Sequence, residues 1–133
     1  MDKIHKIFVI EDNRTENLLF KLALSSIENV EIKTFLTGTD LLHSLNEKPH
    51  IVIVDVMLPD IQGYDLIKAI KEYNQKINVI VLSGQTDVEL IGKIQSLGIY
   101  NYIVKSEECL KYLEDVIKNL LIIINHKEKT ENI

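Results

Sequence analysis

Five short apolar runs rich in β-branched residues, at 7–10, 30–35, 51–54, 79–82 and 100–104, alternate with five stretches of helical spacing. Those stretches carry in turn Leu18, Leu22 and Leu24 with Ile27, then Leu41, Leu42 and Leu45, then Leu66, Ile67, Ile70 and Tyr73. The fourth carries Leu90, Ile91, Ile94 and Leu97, and the fifth Leu110, Leu113, Val116, Ile117 and Leu120. Strand then helix, five times over, predicts a parallel sheet covered on both faces, because parallel neighbours need a crossover and helices supply it.

The patterning also orders the strands. IFVI, IVIV and VIVL are apolar at every position, as strands buried on both faces must be, whereas VEIKTF and YNYIV alternate and belong at the edges. Three interior and two edge strands fit the order 2-1-3-4-5, a flavodoxin-like doubly wound α/β fold, a (βα)5 three-layer sandwich. Right-handed crossovers then place the first and fifth helices on one face and the second, third and fourth on the other. No repeat, low-complexity tract or Gly/Ser linker interrupts the 133 residues, so a single domain is expected over 1–125. The polar tail from Asn125, NHKEKTENI, is expected to fray, with 126–133 outside the domain.

A net charge of −5 argues against a general nucleic-acid binder, which needs a basic face for phosphates. Cys109 is the only cysteine, so no disulfide can form within the chain. The first residues, MDKIHKIFVIED, turn acidic too soon for a secretory leader, and the longest apolar run, Leu120 to Ile124, is far short of a membrane span. A cytoplasmic protein with no direct membrane contact is expected.

In an open α/β sheet, ligands bind beyond the carboxyl ends of the strands where the strand order reverses, here between the first and third strands. Glu11 and Asp12 follow the first strand, Asp55 ends the third, Ser83 follows the fourth and Lys105 the fifth. Each has an ordinary explanation alone. A carboxylate after a strand is often a turn former or helix cap, Ser83-Gly84 is a common turn pair, and a lone lysine is usually a solvated charge. Asp55 is harder to dismiss, because it interrupts the run IVIVDVML where an isolated charge is costly. Five such residues in this order on one rim point to chemistry.

Carboxylates packed together repel by roughly 4 kcal/mol per pair at contact distance in an effective dielectric near 20, so the cluster calls for a cation. Oxygen donors with no His or Cys among them suit Mg²⁺ better than zinc. A carboxylate held ionised beside such an ion is a competent nucleophile toward a phosphoryl group, and the ion and Lys105 would neutralise charge on the phosphoryl oxygens. Ser83 would donate a hydrogen bond to one of them.

Those residues carry a resemblance. Over residues 4 to about 124 the chain resembles the receiver domains of two-component response regulators, through VIEDN at 9–13, DVMLPDIQG at 55–63, VLSG at 81–84 and YIVK at 102–105. The second motif is the most specific. The resemblance implies a signalling switch rather than an enzyme, with at most slow self-dephosphorylation. Asp55 would accept phosphate from a phosphohistidine on a sensor histidine kinase or phosphotransfer protein. Asp12 would bind Mg²⁺ directly and Glu11 through water, while Met57 would offer its backbone carbonyl. Ser83 and Lys105 take the family's hydroxyl and lysine positions, and Tyr102 the switch aromatic. That ring turns inward as Ser83 moves, which reshapes the face of the fourth helix, fifth strand and fifth helix. A downstream protein, an output domain or a second copy of the chain would read that face.

One departure concerns the turn after the lysine. The family places proline there, often after a cis peptide, but here Ser106 follows Lys105. A non-proline cis bond costs about 3–4 kcal/mol, and Ser106 has the alternative of capping the fifth helix ahead of Glu107 and Glu108. At the far end of that helix, five consecutive apolar residues from Leu120 exceed what one buried stripe needs, so two of them are expected to meet a partner. Three competing readings have weaker support. An aspartyl-phosphate hydrolase would carry an acid where Met57 stands. A flavin or nucleotide binder would need a Gly-rich loop where EDNRTE stands. A degenerate receiver working without phosphate would not retain all five rim residues.

Overall fold

A computed structural model describes residues 3–131 apart from 57, 59 and 85. Its elements run β1 (His5–Ile10), α1 (Arg14–Leu24), β2 (Val30–Phe35), α2 (Gly38–His43), a 3₁₀ turn (Leu45–Glu47), β3 (Ile51–Val54), α3 (Gly63–Tyr73), β4 (Asn78–Ser83), α4 (Val88–Gln95), β5 (Asn101–Val104) and α5 (Cys109–Glu131). The strands form one parallel sheet in the order β2-β1-β3-β4-β5, as the patterning predicts. Every residue of β3 is buried, and all but one each in β1 and β4, because alternate side chains enter opposite helical layers. β2 alternates between intermediate and exposed positions before ending on buried Phe35, which suits an edge.

Two cores result. Ile7, Val9, Ile51, Ile53, Ile80 and Leu82 pack against α1 and α5, while Phe8, Ile10, Val52, Val54, Val79 and Val81 pack against α2, α3 and α4. The expected division of helices between the faces therefore holds. Within the layers, packing is uneven. α3 buries Leu66, Ile67 and Ile70 but leaves Tyr73 exposed, and α4 buries only Ile94 of its expected four.

In α1 the marked positions give the buried stripe only in part, since Leu24 and the following Ile27 are buried but the other two leucines are not. Leu18 and Leu22 are 56% and 61% exposed, whereas Asn17, Phe20 and Leu24 face inward. Asn17 sets this phase, because its side-chain amide donates to the carbonyls of Glu11 and Phe35, both at 3.0 Å. A buried helix side chain that completes two backbone acceptors outweighs one more exposed leucine.

Two expectations for α5 are corrected. Ser106 does not cap it. Residues 106–108 lead into a turn in which the Cys109 N–H donates to the Ser106 carbonyl at 3.3 Å, and the first helical bond runs from Tyr112 N–H to Glu108 carbonyl at 3.2 Å. Glu107 and Glu108 thus precede the first turn, and the Lys105–Ser106 peptide is trans. The described part of the tail, residues 125–131, is helical instead of frayed. Glu128 fastens this extension to the start of β1, where one carboxylate oxygen lies 2.7 Å from buried His5 Nε2 and the other takes the Lys3 ammonium.

Of the five apolar residues from Leu120, the structure buries Leu120, Leu121 and Ile124 and leaves Ile122 and Ile123 68% and 40% exposed. Lysine at Leu121 or Ile124 would therefore damage the core rather than probe a surface. Leu121→Lys is expected to cost about 3 kcal/mol or more in urea unfolding, because it buries an unpaired charge. Ile122→Lys should stay within about 0.5 kcal/mol of the parent. Equal midpoints for the two variants would refute this assignment of the inner face.

Candidate functional site

The strand order reverses between β1 and β3, and both strands end at the same rim. Their ladder runs out with Asp55 N–H donating to the Ile10 carbonyl at 3.2 Å, while Glu11 N–H donates across to Phe35 at 3.2 Å. Glu11 and Asp55 are thereby set side by side and are only 2% and 7% exposed. Asp12, next in the chain, faces solvent. Carboxylate oxygens of Glu11, Asp12 and Asp55 all lie within 4.8 Å of one another, so the three groups expected to converge do so. On the other side, β5 delivers Lys105, whose N–H donates to the Ser83 carbonyl at 2.9 Å and fixes the register of the two strand ends. The Lys105 ammonium then reaches Asp55 Oδ2 at 3.1 Å, Glu11 Oε2 at 3.2 Å and Glu16 Oε2 at 3.4 Å.

The electrostatics follow from this crowding. Burial, followed by the hydrogen bond and charge of Asp55 and the hydrogen bond of Asp12, raises Glu11 from the ordinary carboxylate range to about 9, with Lys105 pulling the other way. Burial alone would lower Lys105, but the hydrogen bonds and charges of Asp55 and Glu11 outweigh it and lift the ammonium above the usual lysine range. The lysine therefore stays charged, and the carboxylates hold more negative charge than one lysine offsets. Three converging oxygen donors without nitrogen or sulfur fit Mg²⁺, a hard cation that takes a few carboxylates and keeps water on its other positions.

The loop after Asp55 is held from two sides. Asp60 accepts hydrogen bonds from Gly38 N–H at 3.0 Å, Thr39 N–H at 2.9 Å and the Thr39 hydroxyl at 2.8 Å. Led by the Thr39 and Gly38 backbone bonds, these hold its carboxyl below the usual range. Gly63 donates to the Val56 carbonyl at 3.1 Å, and its missing side chain lets the start of α3 lie against the backbone that follows Asp55.

Ser83 is fully buried as the last residue of β4. Tyr102, opposite Val81 in the ladder, is half-buried against the core on the α2–α3–α4 side. Met57 lies outside the described residues. Sequence reasoning missed the contacts of Glu16 and Asn17, and it held Asp60 only as part of the motif at 55–63, with no role assigned. Asn17 had a signal, a polar residue in the buried phase of α1, but Glu16 and Asp60 act through contacts made only once the chain is folded.

The family model for the response regulator receiver domain matches residues 7–117. The chain belongs to this family. Among receiver-containing relatives, the transcriptional regulatory protein CssR of Bacillus subtilis is 34% identical over 102 residues, which are 76% of this chain and 44% of that protein. A protein-glutamate methylesterase/protein-glutamine glutaminase of Clostridium acetobutylicum is 32% identical over 129 residues, 92% of this chain and 37% of the relative. This chain spans less than half the length of either. The response regulator DrrB of Thermotoga maritima superposes with a TM-score of 0.79 at 33% identity, over 89% of this chain and 52% of that one. A CheY-like receiver from Methanospirillum hungatei, at 22% identity and a TM-score of 0.82, covers 96% of this chain and 99% of its own and bears on the fold alone. Receiver domains act as phosphoacceptors in two-component signalling, bind Mg²⁺ in their acidic pocket and work with histidine kinases and output domains. No helix among the described residues is long and apolar enough to cross a membrane.

Proposed function

We propose that residues 1–125 form a phosphorylation-operated switch in which Asp55 takes a phosphoryl group from a phosphohistidine of a sensor kinase or phosphotransfer protein. An Asp55 carboxylate oxygen forms the bond to phosphorus as the bond to the donor's imidazole nitrogen breaks, and that nitrogen keeps the electron pair and takes up a proton. Asp12 and Asp55 would hold Mg²⁺ directly, Glu11 through water and Met57 through its carbonyl. The bound ion supplies positive charge against the carboxylates and phosphoryl oxygens. Lys105 moves from Asp55 to a phosphoryl oxygen, and the Ser83 hydroxyl donates to another. Tyr102 then follows Ser83, and the α4–β5–α5 face changes shape for a downstream protein or output domain.

The observation that carries this reading is the Lys105 ammonium placed 3.1 Å from Asp55 and 3.2 Å from Glu11, at the rim where three carboxylates converge. Incubation with Mg²⁺ and acetyl phosphate should add one acid-labile phosphoryl group, read by intact mass. Asp55→Asn should add none, and chelation of Mg²⁺ should largely suppress the gain. Equal labelling of Asp55→Asn and parent would refute the assignment.

A further inference from the structure

Lys105 has three N–H donors, and the structure gives it three carboxylates: Asp55, Glu11 and Glu16. Two of these belong to the convergent trio that suits a cation, whereas Glu16 does not. The sequence Asn13-Arg14-Thr15-Glu16 has the spacing of a helix capping box, in which the glutamate would turn back to the cap residue's N–H. Half of that box forms, with Asn13 Oδ1 accepting from Glu16 N–H at 3.0 Å. The other half is taken over, because Asn13 N–H donates to Glu11 Oε1 at 3.3 Å. The Glu16 carboxylate is thereby released from its local task and lies 3.4 Å from Lys105 at the mouth of the site.

We infer that Glu16 is a positioning residue that competes with the phosphoryl group for Lys105 and so sets how readily the switch is turned on. The inference rests on the phosphoacceptor reading above. A cation held at the trio would draw on the negative charge of Glu11 and Asp55, and a phosphoryl group on Asp55 would need the lysine. Glu16 is then the carboxylate left holding it, and its charge also opposes the arriving anion. At 48% exposure the contact is screened by water, so it does little for the fold and acts chiefly on where the lysine points.

Beryllofluoride, a phosphoryl mimic, tests this by calorimetric titration in Mg²⁺. Glu16→Gln and Glu16→Asp should each bind it about two- to fivefold more tightly than the parent, the range expected for release of a half-exposed ion pair. Glu16→Asp keeps the charge but loses a methylene of reach, so it separates contact from field. Affinity for Mg²⁺ alone and the thermal midpoint should stay close to the parent's. Parent-like beryllofluoride affinity in Glu16→Asp would overturn the inference even if Glu16→Gln bound more tightly, as would a large loss of Mg²⁺ affinity in either variant. A parent chain that bound no beryllofluoride would instead count against the phosphoacceptor reading itself.

Discussion

Gly63→Ala is expected to cost about 3 kcal/mol in urea unfolding, at the upper end for overpacking, and to impair phosphoryl uptake at Asp55. A Cβ built at this position lies 2.6 Å from Val56 Cα, 2.8 Å from its carbonyl oxygen and 2.9 Å from Cγ1. Two of those three atoms are backbone, so no rotamer change relieves the contact. Retreat of α3 is also resisted, because Gly63 N–H is bonded to that same carbonyl and Leu66 and Ile67 anchor the next turn in the core. Strain therefore passes to Val56, whose chain neighbour is Asp55. Gly92, inside α4, is the matched control, since a Cβ there meets nothing within 4 Å. Gly92→Ala should stabilise the protein by about 0.5–1 kcal/mol through helix propensity and a stiffer unfolded chain. A Gly63→Ala protein as stable as the parent would show that the acceptor loop has slack the structure does not contain.

The fold was legible because a doubly wound sheet writes its topology into composition. Interior strands must be apolar on both faces, so IVIV and VIVL differ visibly from VEIKTF, and the order followed. The convergence at the rim was legible for a related reason, since strand ends deliver residues to one edge, so chain position brought Glu11, Asp55 and Lys105 together, with Ser83 tied in through its carbonyl to Lys105 N–H. What escaped were contacts that depend on side-chain phase and reach. Of the leucines of α1, Leu24 lies on the inner face but Leu18 and Leu22 do not, because Asn17 sets the phase by completing two carbonyls. The polar tail looked free because nothing local holds it, whereas His5 and Lys3, more than 120 residues away, do. Ser106 had the side chain of a cap, yet the turn uses its carbonyl.

The ion-free protein is expected to lose stability as the pH rises from about 7 to about 9, and saturating Mg²⁺ to abolish that loss. Glu11 is raised in the fold to about 9, from 4.5 in the open chain, by burial first and then by Asp55 and Asp12, with Lys105 opposing. Between those values the folded state binds a proton that the unfolded state does not. The contribution is complete below 4.5, shrinks as the pH climbs and is gone above about 9. One such proton sets a slope of at most about 1.4 kcal/mol per pH unit. The window opens at about 7 because His50 works in the opposite direction below it. Burial, His5, Lys3 and Lys6 lower that imidazole, with Glu128 opposing, so its share of stability falls as the pH drops through the ordinary histidine range. Mg²⁺ binds the ionised carboxylates, so a bound ion displaces the proton and removes the reason for the slope. Urea unfolding free energies across this pH range, in chelator and in Mg²⁺, test the pair of claims, and Glu11→Gln should flatten the chelator series by itself. A parent whose stability in chelator holds level or rises toward pH 9 would mean that the rim carboxylates are better solvated, or more fully offset by Lys105, than their burial allows.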